Sequence, residues 1–168
     1  MSDLSFLYTN SLDPRAKPLI DDLIREYNGR YGDIPGREDA SVELYRYPPA
    51  AFAAPTGAFL LVVQAGETIG GGAFMRYDDA TAEMKRIWVR RDQRRQGLAR
   101  KIVAELEAQA LRQGYQRAFL TTGFRQPEAV GLYLGFGYSP QFDLNGDLEA
   151  LRKLPFTKVL SESADQAA

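Results

Sequence analysis

The apolar positions of this chain change period several times, and each change marks an element. Residues 58–64 (AFLLVVQ) and 69–77 (IGGGAFMRY) are short runs of strand-forming residues separated by Ala65-Gly66-Glu67-Thr68, a hairpin signal. Residues 82–90 (AEMKRIWVR) set Met84, Ile87, Trp88 and Val89 among charges after the Tyr77-Asp78-Asp79 turn, which predicts a partly buried strand and an antiparallel meander of three. The period then becomes helical. Ala99, Ile102, Val103, Leu106 and Ala110 share one face, and Gly114 supplies a stop. Residues 116–122 (QRAFLTT) return to strand, so strand, helix and strand form a crossover unit whose two strands run parallel.

The flanks are read the same way. Residues 5–10 (SFLYTN) predict a short strand. A helix follows with Ala16, Leu19 or Ile20, Leu23, Ile24 and Tyr27 on its apolar face, starting at Pro14 or near Pro18 and ending at Asn28-Gly29. Residues 30–42, rich in Gly, Pro and acids, read as a loop, and Pro48-Pro49 opens a short helical piece to Ala54. Glycines 70–72 predict a bulge or a site of close packing. Residues 126–135 (QPEAVGLYLG) place Pro127 at a first helical position, with Ala129, Leu132, Tyr133 and Phe136 on one face. Phe136-Gly137-Tyr138 leads into a strand, residues 156–160 make a last one, and a disordered tail is expected over 161–168.

Composition narrows the chemistry. At 168 residues with 45% hydrophobic content the chain fits one domain, and no apolar run approaches a membrane span. The start, MSDLSFLYTN, has no basic and apolar leader, so a cytoplasmic address is expected. A net charge of -1 gives no global field toward nucleic acid or an anionic membrane, and the arginines lack interleaved aromatics. With no cysteine and no histidine, thiol nucleophiles, Ser-His-Asp triads and the usual zinc ligands are excluded, and no metal is expected. Carboxylates, tyrosines, hydroxyls, lysine and main-chain amides remain.

The one concentrated basic stretch lies between the third strand and the long helix, at Lys85, Arg86, Arg90, Arg91, Arg94 and Arg95. A helix opening just after Gly97 presents unpaired N–H groups and the positive end of its dipole, which suits a phosphate or pyrophosphate. A capped surface helix with solvated arginines accounts for the turn taken alone equally well. The nucleotide motifs GxxxxGK[ST] and GxGxxG are both absent.

The turn Arg94-Arg95-Gln96-Gly97-Leu98-Ala99 resembles the [Q/R]xxGx[G/A] signature of the GNAT acetyltransferases. The stretch QPEAVGLYLGFGY resembles that family's NxxAxxLYxxxGF pattern, with Gln126 where the family commonly has asparagine. The two matches bracket residues 58–138. The resemblance implies an α/β (α+β) GNAT fold: a mixed sheet of six to seven strands and about four helices, with the central parallel pair splayed at the coenzyme site. It implies acetyl-coenzyme A as cosubstrate, its pyrophosphate held by Arg94, Arg95, Gln96, Gly97, Leu98, Ala99 and Arg100. The strand at Ile87, Trp88 and Val89 would hold the pantetheine arm, helped by Gln126, and a main-chain N–H near Val89 would polarise the thioester carbonyl.

Two side chains then acquire roles. The resemblance assigns Tyr133 as donor to the departing coenzyme sulfur, and a phenol of pKa about 10 is a reasonable match for a thiol of about 8.5. A core tyrosine on an apolar helix face is the structural alternative. An amine of pKa near 10 must lose a proton before it attacks, and Glu83 falls where glutamate-using members place their base. Tyr31, Asp33, Tyr45 and Tyr47, with Thr122, are weaker candidates for contacting the acceptor. The implied activity is N-acetylation of a small primary amine by direct attack in a ternary complex, in a protein with no nucleic-acid or membrane partner and a homodimer as one option for assembly. A noncatalytic acyl-coenzyme A binding module and a protein-lysine acetyltransferase are the alternatives.

Overall fold

The two-residue turn Ala65-Gly66 sets the first half of the sheet: its φ values of 53° and 79° give the mirror-image turn whose twist matches an antiparallel hairpin. It joins β2 (Ala58–Gln64) to β3 (Glu67–Asp78); β4 (Thr81–Val89) continues the meander, and β1 (Ser5–Tyr8) pairs antiparallel with the outer side of β2. Beyond β4 come β5 (Arg117–Gly123), β7 (Lys153–Val159) and the two-residue β6 (Ser139–Pro140), giving one seven-stranded sheet in the order β1-β2-β3-β4-β5-β7-β6. Only β4 and β5 run parallel, as the crossover through α3 (Leu98–Arg112) requires. The structure, a computed structural model, describes residues 3–36, 38–124 and 126–160; the tail at 161–168 lies outside the described residues.

Both faces of the sheet are covered. On one, α3 lays Leu98, Ile102, Val103, Leu106 and Ala110 against Leu60, Val62, Phe74, Met84 and Val89, joined by Tyr133 of α4 (Pro127–Gly135) and by Phe156. On the other, Leu19 and Ile20 of α1 (Lys17–Tyr31) meet Phe59, Leu61, Ala73 and Trp88. Each fully buried Leu or Ile contributes roughly 1.5–3 kcal/mol, so these two layers are the main source of stability.

Glycines 70–72 serve close packing. A Cβ on Gly72 would stand 2.8 Å from Leu106 Cδ1 and one on Gly70 2.9 Å from Ile102 Cδ1, while one on Gly71, on the opposite face, would meet Leu60 O at 2.5 Å and Leu19 Cδ1 at 2.6 Å. The strand is bare so that both helices can approach it. Opposite these glycines it is β4 that is bulged: Lys85 pairs with Ala73 but Trp88 with Gly71, so two residues, Arg86 and Ile87, oppose the single Gly72.

Elsewhere the elements depart modestly from the sequence reading. The first helix runs through Gly29 to Tyr31, because burial of the Tyr31 ring compensates the weak helix preference of glycine. A 3-10 turn at Pro14–Ala16 precedes it, so Pro14 and Pro18 both sit at helix starts. The region read as loop contains α2 (Ala40–Leu44), and the piece after Pro48 is a 3-10 turn, Pro49–Phe52. The last helix, α5 (Leu148–Leu151), was not expected; its signal is Asp147, whose carboxylate caps Ala150 N–H. Among the described residues no helix is long and apolar enough to cross a membrane.

Candidate active site

The strands β4 and β5 share three rungs, Thr81 with Arg117, Ala82 with Ala118 and Glu83 with Phe119, and then separate although each runs on for several residues. The bulge contributes to this. Arg86 sits at its centre with φ 63°, a conformation that non-glycine residues seldom adopt, and the extra residue reverses the alternation of side chains. Lys85 and Trp88 therefore both turn toward the α1 side, while Ile87 and Val89 face α3. The result is a wedge that opens toward the carboxyl ends of both strands, where ligands of such sheets bind.

The turn that resembles a pyrophosphate loop stands at that opening. Arg95 and Gly97 hold left-handed φ values of 65° and 80°, and Gly97 is the N-cap of the fifteen-residue α3 with no side-chain cap. Among the described residues, no protein acceptor takes the main-chain N–H groups of residues 95–100. Six donors and the positive end of the helix dipole are thus left without protein acceptors at a turn where Gln96 and Gly97 are exposed. Leu98 is buried and anchors the helix, and Ala99 is half-buried.

The arginines divide their tasks. Arg94 does not project freely: its Nε–H donates to Val89 O at 3.0 Å and its Nη2–H to Glu26 of α1, tying the loop to the helix across the sheet. Arg90 is paired with Asp92 and Glu67. Arg100 stacks over the Phe136 ring at 4.7 Å, linking α3 to the end of α4. Arg95 remains exposed beside the open N–H groups.

Tyr133 is 8% exposed among Phe136, Tyr138 and Phe156, with ring centroids 5.7–6.2 Å away. Burial, with a smaller push from the Tyr27 phenol, raises its pKa well above that of a free phenol. Such a phenol is neutral at every physiological pH and is a hydrogen-bond donor; it is a weaker acid than the matched pair expected from reference values. Its partner in core and fold, Tyr138, is raised too, by burial and by Glu107, whose Oε2 accepts from its hydroxyl at 2.9 Å. On β5, Thr122 is 6% exposed and its Oγ1 has no hydrogen-bond partner among the described residues. The protein therefore leaves a buried hydroxyl unsatisfied on the strand that borders the wedge.

The α1 side of the wedge carries the candidate base. Glu83 is largely buried, with Lys85 Nζ at 3.3 Å, and the same ammonium lies 5.1 Å from the centre of the Tyr47 ring. Tyr77 and Phe119 stack beside it at 4.6 Å. Tyr31 is 1% exposed, and its hydroxyl donates to Gln126 Oε1 at 3.3 Å, so it meets the other motif rather than open solvent. Tyr45 is two-thirds exposed and Asp33 is exposed. Of the expected acceptor contacts the structure thus gathers Tyr47 with Glu83, and Tyr31 with Gln126, and leaves Tyr45 outside.

Glu26 and Gly123 were not singled out beforehand, while Lys85 was read only as part of the basic stretch and Tyr27 only as a face residue of the first helix. Only Lys85 left a local signal, two residues from Glu83 on one face of a strand.

Residues 17–138 match the model of the Acetyltransferase (GNAT) family. No curated protein sequence is matched. Among solved structures, a protein of Klebsiella pneumoniae subsp. pneumoniae described as an acyl-CoA N-acyltransferase superimposes with TM-score 0.70 at 24% identity, covering 94% of this chain and 97% of that one. An Elizabethkingia anophelis GNAT acetyltransferase with acetyl-CoA bound gives 0.63 at 16% identity, covering 94% and 98%. The PaiA N-acetyltransferase of Thermoplasma acidophilum in complex with coenzyme A gives 0.69 at 13% identity, covering 94% and 99%. At such identities the likeness is one of fold, whereas the family model spans most of the chain and both motifs. The chain belongs to the Acetyltransferase (GNAT) family.

Proposed function

We propose that the protein transfers an acetyl group from acetyl-coenzyme A to the primary amine of a small molecule, by direct attack with both substrates bound. The observation that carries this reading is the run of unpaired N–H groups at residues 95–100, opening beside the wedge between β4 and β5. Six donors at a helix N-terminus suit a pyrophosphate, and the edge of β4 at Ile87, Trp88 and Val89, which β5 leaves free and of which Arg94 takes only the Val89 carbonyl, suits an amide-bearing arm.

Within that frame the side chains have distinct tasks. Glu83 takes a proton from the acceptor ammonium, directly or through water, so that the amine nitrogen can attack the acetyl carbonyl. A main-chain N–H near Val89 faces the oxygen on which charge develops. The new C–N bond forms as the C–S bond breaks, Tyr133, held protonated by its surroundings, donates its proton to the departing sulfur, and the proton that the nitrogen sheds as the amide forms restores the phenol, directly or through water. Arg94 braces the loop against Glu26, and Gln126 contacts the coenzyme from the start of α4.

The test is thiol release from acetyl-coenzyme A across amino acids, polyamines, aminoglycosides and lysine peptides; the absence of cysteine in the chain keeps the background low. Release with one amine class is the expected result. A raised melting temperature with coenzyme but no release across the panel would favour a noncatalytic binding module instead.

A further inference from the structure

At the carboxyl end of β5 the main chain, a glutamine and a tyrosine from the far side of the sheet close on one another. Gln126, the N-cap of α4, turns its Oε1 to Gly123 N–H at 2.9 Å. An N–H can only donate, so the oxygen of the amide must face it, and the orientation of the Gln126 side chain is thereby fixed. The same Oε1 accepts from the Tyr31 hydroxyl at 3.3 Å. With both donors on the oxygen, the Gln126 NH2 group is turned away and has no protein acceptor among the described residues.

Tyr31 can reach this point because Gly123 lacks a side chain: a Cβ there would lie 1.9 Å from the Tyr31 oxygen. Its ring is 1% exposed and leans on Phe124 at 5.5 Å. One residue earlier, Arg30 binds Glu128 of α4 at 2.5 Å, a second bridge between the same helices that does not touch Gln126. The Thr122 hydroxyl, buried without a partner, stands beside Gly123 in the chain. Two polar groups within five residues are therefore left for a ligand while their neighbours are fully engaged.

We infer that Tyr31 is a positioning residue for the coenzyme: from α1, it orients the Gln126 amide so that its NH2 group serves the bound acetyl-coenzyme A, and it does not contact the acceptor. This rests on the proposal that the wedge binds acetyl-coenzyme A. Its consequence is that the helix lining the acceptor side helps to set coenzyme affinity.

The experiment needs no acceptor. Acetyl-coenzyme A binding is measured by titration calorimetry for the wild-type protein, Tyr31→Phe, Gln126→Ala, the double variant and Arg30→Gln. Tyr31→Phe and Gln126→Ala are each expected to weaken binding about fivefold, the loss of one neutral hydrogen bond, and the double variant no more than Gln126→Ala alone. Arg30→Gln, which loosens the helix docking without touching the amide, is expected to change affinity less than about twofold. Gly123→Ala, whose methyl group would crowd both the Tyr31 hydroxyl and Gln126 Oε1, should reproduce the loss if Tyr31→Phe fails to fold. Additive losses, an Arg30→Gln effect as large as that of Tyr31→Phe, or unchanged affinity in Tyr31→Phe would each overturn the role. No binding by the wild-type protein would instead remove the coenzyme reading itself, and this role with it.

Discussion

Glu83 and Phe119 form the last rung between β4 and β5, so the one carboxylate proposed as a base stands at the point where the two strands part. Its neighbour across β4's other edge is Met75, and Lys85 on the same face sits 3.3 Å away. The pivot fixes Glu83 better than a loop could, because both flanking strands hold its main chain.

Replacing Glu83 by Gln removes the proposed proton acceptor and keeps the side chain's size. The acetylation rate should fall most at neutral pH, and the deficit should shrink as pH rises toward the amine's own pKa of about 10, where free amine no longer needs a base. A pH–rate profile that runs parallel to wild type throughout would exclude the role.

Tyr133→Phe deletes the proposed donor to the sulfur and leaves the packing of the ring. A fall in kcat of about a hundredfold is expected, the lower range for a general acid, with acetyl-coenzyme A affinity nearly unchanged. Single-turnover acetylation reads the chemical step directly, and an unchanged rate would return Tyr133 to a purely structural place in the core.

The Trp88 indole N–H donates to Asp22 Oδ2 at 2.7 Å, and the indole is 4% exposed. Asp22→Ala strands that buried donor and should cost about 1–3 kcal/mol in urea denaturation. Burial acts to raise the Asp22 pKa, but the hydrogen bonds from Trp88 and Arg25 outweigh it and the net shift is downward. The linked stabilisation is therefore present above the unfolded carboxyl's pKa of about 3.9 and is lost as pH falls through the folded value. In Asp22→Asn the acid limb of the stability curve should be shallower.

Gly71→Ala would press a methyl group to 2.5 Å from the Leu60 carbonyl oxygen, a main-chain atom that cannot swing aside. A destabilisation of about 3 kcal/mol is expected. Gly131→Ala, at a helical glycine with nothing within 4 Å, is the contrasting control and should be neutral or stabilising by up to about 1 kcal/mol.

At alkaline pH the sign reverses. Tyr138 has its pKa raised by burial and by Glu107, so the folded state keeps a proton that the unfolded chain releases above pH about 10. Its contribution is complete below that pH and is lost as pH climbs. Urea midpoints between pH 9 and 11 should decline, and less steeply in Tyr138→Phe; an identical slope would contradict the assignment.

What could be read from residues alone follows a physical rule. The meander, the crossover and the α3 face were legible because each depends on spacing within a dozen residues, as did the Gly97 turn and Tyr133, fixed by motif. The Arg86 bulge was not, since a left-handed arginine carries no mark that a glycine would. Pro155 hid the first half of β7, where its carbonyl accepts from Gln141 N–H although it offers no N–H of its own. The Tyr31–Gln126 and Arg94–Glu26 pairs join residues 95 and 68 positions apart, and nothing local announces them.

The parting of β4 and β5 after three rungs gives this sheet four edges instead of two. The outer pair, at the four-residue β1 and the two-residue β6, is short and poorly suited to recruit another chain. The inner pair diverges inside the molecule, flanked by helices, too far apart to pair with each other and too enclosed to pair with a neighbour. Such edges suit a single extended, amide-bearing chain, as the proposed coenzyme site requires, better than a folded strand, and the same enclosure disfavours pairing with a neighbouring molecule.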